Sequence, residues 1–209
     1  KLGVADLIPI YTYVRRWGKC RFCAGVIPLW VFGIELMVPV LYIALVLGLG
    51  WTSQVLVLSL FFSAMVVVFW TDILYKVVPN EIIVFLLLVG VVLAVLSGKW
   101  IYYVVSAIAL FVLYATLGYL GYLYYKRPVI GGGDYKLLAM MGLFWGWEMG
   151  LMSLYIAFLL GGVLAMILFV LGRASLKDEL PFAPMLILGN GIVLGWGDVL
   201  VTVYLSLMS

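Results

Sequence analysis

The chain has 209 residues, 67% of them hydrophobic and only 10% charged, with a formal net charge of +3. A soluble domain is about half apolar and a quarter charged, and a chain of this size has too little interior to hide the excess, so several membrane spans are implied. The absence of histidine excludes Ser/His/Asp and Cys/His catalysis and histidine-bound metals, and no nucleic-acid partner is expected.

In chain order, residues 1–27 are expected to form a cytoplasmic loop and 28–209 a membrane-embedded domain. The chain opens on Lys1 instead of Met, as expected of a processed or trimmed N-terminus, and no signal peptide is left to read. Cys20-Arg21-Phe22-Cys23 argues for a reduced metal or redox pair, not a secreted disulfide framework; two idle thiols are the plainer alternative.

On the scale of about 20 apolar residues per span, spans are predicted at 28–49, 54–70, 81–97, 100–125, 149–172 and 182–208. A shorter apolar helix is predicted over 134–146, after the glycines. The fold is therefore expected to be all-α, a polytopic membrane bundle of six to seven helices. The last segment carries Gly189, Gly191, Gly195, Gly197 and Asp198, which would break or tilt it.

Basic residues favour the cytoplasmic side. Arg15, Arg16, Lys19 and Arg21 precede the first span, which places that end inside. Alternation then puts Lys76, Lys126, Arg127, Lys136, Arg173 and Lys177 inside too, and only Lys99 outside. On this count Asp72, at the end of one span, and Asp134, at the start of another, share the cytoplasmic boundary and can meet.

The other acids have plainer readings. Glu81 follows Pro79-Asn80 at a helix start, where an acid suits the dipole. Glu148, Asp178 and Glu179 read as helix ends or loop in headgroup water. Glu35 lies about two turns into the first span, as a polar member of a site or a partner for a basic residue.

Asp72 and Asp134 stand apart because an acid at such a depth is costly. Asp134 follows Gly131-Gly132-Gly133, and glycine permits close backbone approach; a Gly-rich turn with an Asp near a helix N-terminus is also a common cap. Two carboxyls in one site cannot both ionise cheaply. One can serve as base on a water while its protonated partner polarises an amide carbonyl, the division of labour in aspartic proteases.

At these residues the sequence resembles the type IV prepilin peptidase family, membrane aspartyl proteases with a GxGD motif. Gly131-Gly132-Gly133-Asp134-Tyr135-Lys136-Leu137 matches the family's G-x-G-D-x-K-L, and Asp72 with Val78-Pro79-Asn80 matches its first aspartate and the turn after it. Leu7-Ile8-Pro9, Lys19-Cys20-Arg21-Phe22-Cys23, Pro28 and Glu35-Leu36 resemble the cytoplasmic loop and following span of bacterial members. Leu180-Pro181-Phe182-Ala183-Pro184 resembles the family's PFGP segment, with Ala183 where glycine is usual.

The resemblance implies that Asp72 and Asp134 form the catalytic dyad, cutting the basic leader from prepilins or pseudopilins at the cytoplasmic face of the bacterial inner membrane. Gly131 and Gly133 would give close approach, Pro79 and Asn80 the supporting turn, and Lys136 would steady charge or snorkel. Glu35 would belong to a methyl-transfer or substrate site. Proteolysis needs no cofactor. N-methylation with S-adenosylmethionine, and zinc at Cys20 and Cys23, are further implications, but tetrahedral zinc wants four ligands and the second cysteine pair would lie before Lys1, with another span. Two readings from other classes compete: a proton- or ion-coupled transporter using intramembrane acids, and a non-catalytic assembly subunit of a pilus or secretion system.

Overall fold

A computed structural model describes residues 9–20, 23–172 and 181–208, with side chains described for 10–20, 23–172 and 181–197. Leu7, Ile8, Arg21, Phe22, Arg173, Lys177, Asp178, Glu179 and Leu180 therefore lie outside the described residues, as does the side chain of Asp198. Every regular element among the described residues is a helix: α1 (Pro9–Arg15), α2 (Leu29–Leu49), α3 (Ser53–Tyr75), α4 (Asn80–Leu96), α5 (Trp100–Tyr125), α6 (Gly132–Val170) and α7 (Ala183–Met208). Helices α2, α3, α5 and α6 are each long and apolar enough to cross a membrane. Their apolar side chains point outward as well as inward, which suits lipid and not water. The chain is a polytopic helical membrane protein.

The chain divides into two compact units, Lys1–Trp70 and Thr71–Ser209. In the first, α1 is tied to α2 by the Tyr13 and Phe32 rings, stacked at 4.7 Å. Between them the backbone folds into a small knuckle. The Ile27 amide donates to Gly18 at 2.7 Å and the Cys20 amide to Gly25 at 2.9 Å, around a bridge between Lys19 and Val26. Further along, the Tyr42 and Ser63 hydroxyls are 2.7 Å apart, and the Trp70 ring lies against Gly33 so closely that a Cβ there would sit 2.6 Å from Trp70 Cζ2.

The second unit is organised on α6, which packs against α4, α5 and α7. Small residues allow the close crossings. A Cβ at Gly142 would lie 3.0 Å from the Ser106 carbonyl oxygen on α5, and one at Gly189 would lie 2.6 Å from the Ser153 carbonyl oxygen on α6. In the hydrocarbon there is no water-driven attraction between helices, so this close packing is the main source of association.

Two boundaries differ from the sequence expectation. Helix α3 runs to Tyr75, so Asp72 lies inside its last turn and not beyond a span ending at 70. The predicted short helix 134–146 and span 149–172 form one element, α6, bent at Gly146, whose φ of 85° and ψ of 174° are non-helical. The break falls where the sequence placed it, but the two helices abut at this one glycine with no loop between them. The glycines of α7 do not interrupt its helix.

Candidate active site

Asp72 sits in the last turn of α3 and is 7% exposed; Asp134 is the third residue of α6 and is 8% exposed. The two carboxylates lie within electrostatic reach, and Asp134 feels the negative charge of Asp72. Burial and like charge together make two full negative charges costly in one place. The structure thus brings together two acids that the sequence separates by two whole helices.

Each carboxylate is held by backbone. Asp134 accepts from the amide of Gly131, the residue that caps α6. This is the reach-back half of a capping box, in which the third helical residue satisfies the amide of the cap. Asp72 accepts from the amide of Ala183, at the start of α7, and also feels the positive charge of Lys76. Its second oxygen, Oδ2, is buried and has no partner. A buried carboxylate oxygen left unsatisfied is expensive, and in a hydrolytic site it is where a water or a shared proton would bind.

The two motif segments touch. A Cβ at Gly133 would come within 2.5 Å of Val78 Cγ2, so the glycine turn needs a bare backbone to lie on the Val78-Pro79 loop. Pro79, with φ of −62° and ψ of 123°, then starts α4 at Asn80. Lys136 Nζ donates to Asn80 Oδ1 at 2.8 Å. A Cβ at Gly131 would meet Asp134 Oδ2 at 3.2 Å, whereas one at Gly132 would meet nothing within 4 Å.

A wall of rings stands beside Asp134. Tyr114, 2% exposed, feels the Asp134 charge and lies 5.6 Å from the Tyr135 ring and 6.0 Å from Phe182. Phe182 also packs on Phe158 at 5.2 Å. These rings and the Ala183 amide escaped the sequence reading. The Pro181-Phe182-Ala183-Pro184 segment was visible as a motif, but nothing in its side chains announces a backbone donor.

Glu35 is half-buried on α2, in the first unit. Cys20 and Cys23 stand on the knuckle, and neither is in a disulfide. Among the described residues no cluster of three or more His, Cys, Asp or Glu side chains could hold a metal. Two thiols are half of a tetrahedral zinc shell, so these residues alone do not make a zinc site.

A polytopic helical membrane protein with two buried carboxylates converging at helix ends is the class that fold and site define. The chain belongs to the type IV leader peptidase family, whose model matches residues 59–166, and residues 1–49 match the bacterial peptidase A24 N-terminal domain. It is a peptidase. Similar proteins include the prepilin leader peptidase/N-methyltransferase of Bacillus subtilis, 27% identical over 99% of this chain and 82% of that one. Proteins of the same name from Xanthomonas campestris and Pseudomonas aeruginosa are 30% identical (98% of this chain, 72% of that one) and 29% identical (95% and 69%). No solved structure is a significant match.

Proposed function

We propose that the chain is a membrane aspartyl endopeptidase in which Asp72 and Asp134 form the dyad and share one proton. Its substrates are type IV prepilins or pseudopilins, whose basic leader it removes. The observation that carries this reading is the convergence of two buried carboxylates with Asp72 Oδ2 unpartnered. The ionised aspartate takes a proton from water, and the water oxygen bonds to the scissile carbonyl carbon. The protonated partner gives its proton to the carbonyl oxygen. On collapse of the tetrahedral intermediate the C–N bond breaks, the leaving amine takes the proton gained from water, and one hydroxyl of the intermediate returns its proton to the other carboxylate, which restores the dyad.

Cleavage is placed at the cytoplasmic face of the bacterial inner membrane. Arg15, Arg16 and Lys19 before α2, Lys76 after α3 and Lys126 after α5 support that orientation, with Lys99 alone on the opposite side. The substrate's apolar helix would lie in the bilayer beside the dyad. Gly131, Gly133, Pro79, Asn80 and Lys136 act in support, and Glu35 is assigned to substrate or methyl-transfer contacts. The Cys20–Cys23 knuckle is proposed as half of a zinc site completed by ligands from elsewhere, and no step of proteolysis passes through it.

The test uses the protein in lipid nanodiscs with a synthetic prepilin carrying its leader and apolar helix, read by the mass of the new N-terminus. Asp72→Asn and Asp134→Asn should each abolish cleavage while the protein still inserts. Normal processing by either variant rules the dyad out. Adding S-adenosylmethionine to the same assay reads N-methylation, the second activity in the relatives' names, as the added mass of one methyl group.

A further inference from the structure

We infer that the backbone N–H of Ala183 is a positioning group for the dyad: it holds one oxygen of Asp72 so that the other, Oδ2, is left for the reacting water or proton. The inference rests on the peptidase reading above and adds α7 to the two helices that carry the acids.

The first four amides of a helix have no carbonyl to bond within it. Ala183 opens α7, and its amide is spent on the Asp72 carboxylate. The carbonyl of Phe182 already accepts the amides of Met185 and Leu186 at 3.0 and 3.1 Å, so the helix entry is fixed from both sides. Pro184 has no amide to offer, which leaves Ala183 as the donor nearest the helix start. An amide at a helix N-terminus is a strong partner for an anion because the dipole adds to the hydrogen bond.

The mount is rigid. Ala183 is fully buried, Pro184 is buried, and the preceding Phe182 ring is stacked on Tyr114 at 6.0 Å and packed on Phe158 at 5.2 Å. Tyr114 in turn lies against Tyr135, the neighbour of Asp134. One aromatic column thus sets the position of Ala183 relative to Asp134, while its amide reaches Asp72. Asp72 is more than nine-tenths buried, yet only one of its oxygens is accounted for. A carboxylate tethered through one oxygen has a defined orientation, and its free oxygen then faces a fixed point.

Removing the donor without removing the helix is feasible because proline suits the first helical position, where its missing amide costs no helical bond. Ala183→Pro deletes the N–H. Replacing the Ala183 residue by its α-hydroxy acid, which turns the amide into an ester, deletes the same N–H with almost no change in shape. Ala183→Gly keeps the N–H and serves as the control. With the nanodisc-embedded chain and the synthetic prepilin, the ester and proline forms should lose about ten- to a hundredfold in kcat, as expected for a hydrogen bond to a charged group. KM should stay within about twofold, since the bond orients a reacting group and does not bind substrate. The glycine form should keep most of the parent kcat. A loss that is purely structural would lower the glycine form as well and would appear in the thermal midpoints.

An ester form with the parent kcat overturns the inference, and so does a glycine form that falls as far as the ester. The peptidase reading fails separately, if Asp72→Asn still cleaves; a dead Asp72→Asn beside a fully active ester form would sink the role of Ala183 alone.

Discussion

Lys136 on α6 donates to Asn80 Oδ1 on α4 at 2.8 Å, and so clamps the helix that carries Asp134 to the turn that follows Asp72. The bond is exposed, so its net energy is modest, but its place gives it leverage over the spacing of the two acids. Lys136→Met and Asn80→Ala are each expected to lower kcat about three- to thirtyfold, because small displacements at a reacting pair are costly. The double variant should be little worse than either single one, since both remove the same bond. Fully multiplicative losses would show that the two residues act independently.

Gly133 and Gly132 make opposite predictions from adjacent positions. A side chain at Gly133 would strike Val78 at 2.5 Å, while one at Gly132 would find open space. Gly133→Ala should therefore push the motif turn off its neighbour, costing about 1–3 kcal/mol and most of the cleavage activity. Gly132→Ala should fold normally and keep most of its activity. Thermal unfolding in detergent together with prepilin cleavage checks both. Equal effects at the two positions would contradict the contact with Val78.

Much of this was legible because the membrane writes in long words. Apolar runs gave α5 its exact limits, 100–125, and set α2 within one residue of its predicted start. The meeting of Asp72 and Asp134 was legible from charge counting alone, since one bilayer depth narrows where two distant acids can lie. The break between the predicted helices 134–146 and 149–172 falls where α6 bends, at Gly146, between Trp145 and Trp147; only the lack of a gap between the two helices went unread. What escaped had no side-chain signature. The extension of α3 to Tyr75 was hidden by Asp72 itself, which reads as the end of a hydrophobic run. The Ala183 amide was invisible for the same reason that any backbone donor is.

Asn190 and Ser153 form a buried polar pair where α7 crosses α6. Asn190 Nδ2 donates to Ser153 Oγ at 3.2 Å, the Ser153 hydroxyl donates to the Met149 carbonyl at 2.7 Å, and Asn190 Oδ1 is buried without a partner. Half-satisfied pairs respond unevenly to substitution. Ser153→Ala leaves the Asn190 donor unpaired as well and should cost about 1–3 kcal/mol. Replacing both, in Ser153→Ala/Asn190→Leu, should recover most of that loss because no buried polar group is then left over. Unfolding in mixed micelles reads the order of the three proteins, and a double variant weaker than Ser153→Ala would refute it.

Gly146 holds α6 in two halves, and two separate causes require glycine there. Its φ of 85° and ψ of 174° fall in a region that only glycine enters at low cost. Its missing Cβ also makes room for the Tyr102 hydroxyl, which bonds to Glu148 two residues further on. The two causes can be separated. Gly146→Ala should lose about 1–3 kcal/mol to backbone strain and a further part to the clash. Tyr102→Phe alone removes a hydrogen bond and should cost about 1 kcal/mol. In the double variant Tyr102→Phe/Gly146→Ala the hydroxyl is gone, so the clash eases and the loss should be less than the sum of the two single losses. The strain remains, so the double variant should still be weaker than Tyr102→Phe. If Gly146→Ala unfolds at the parent temperature, α6 is straight in the membrane. The half that carries Asp134 would then reach Asp72 along a different line, and the geometry of the dyad would have to be redrawn.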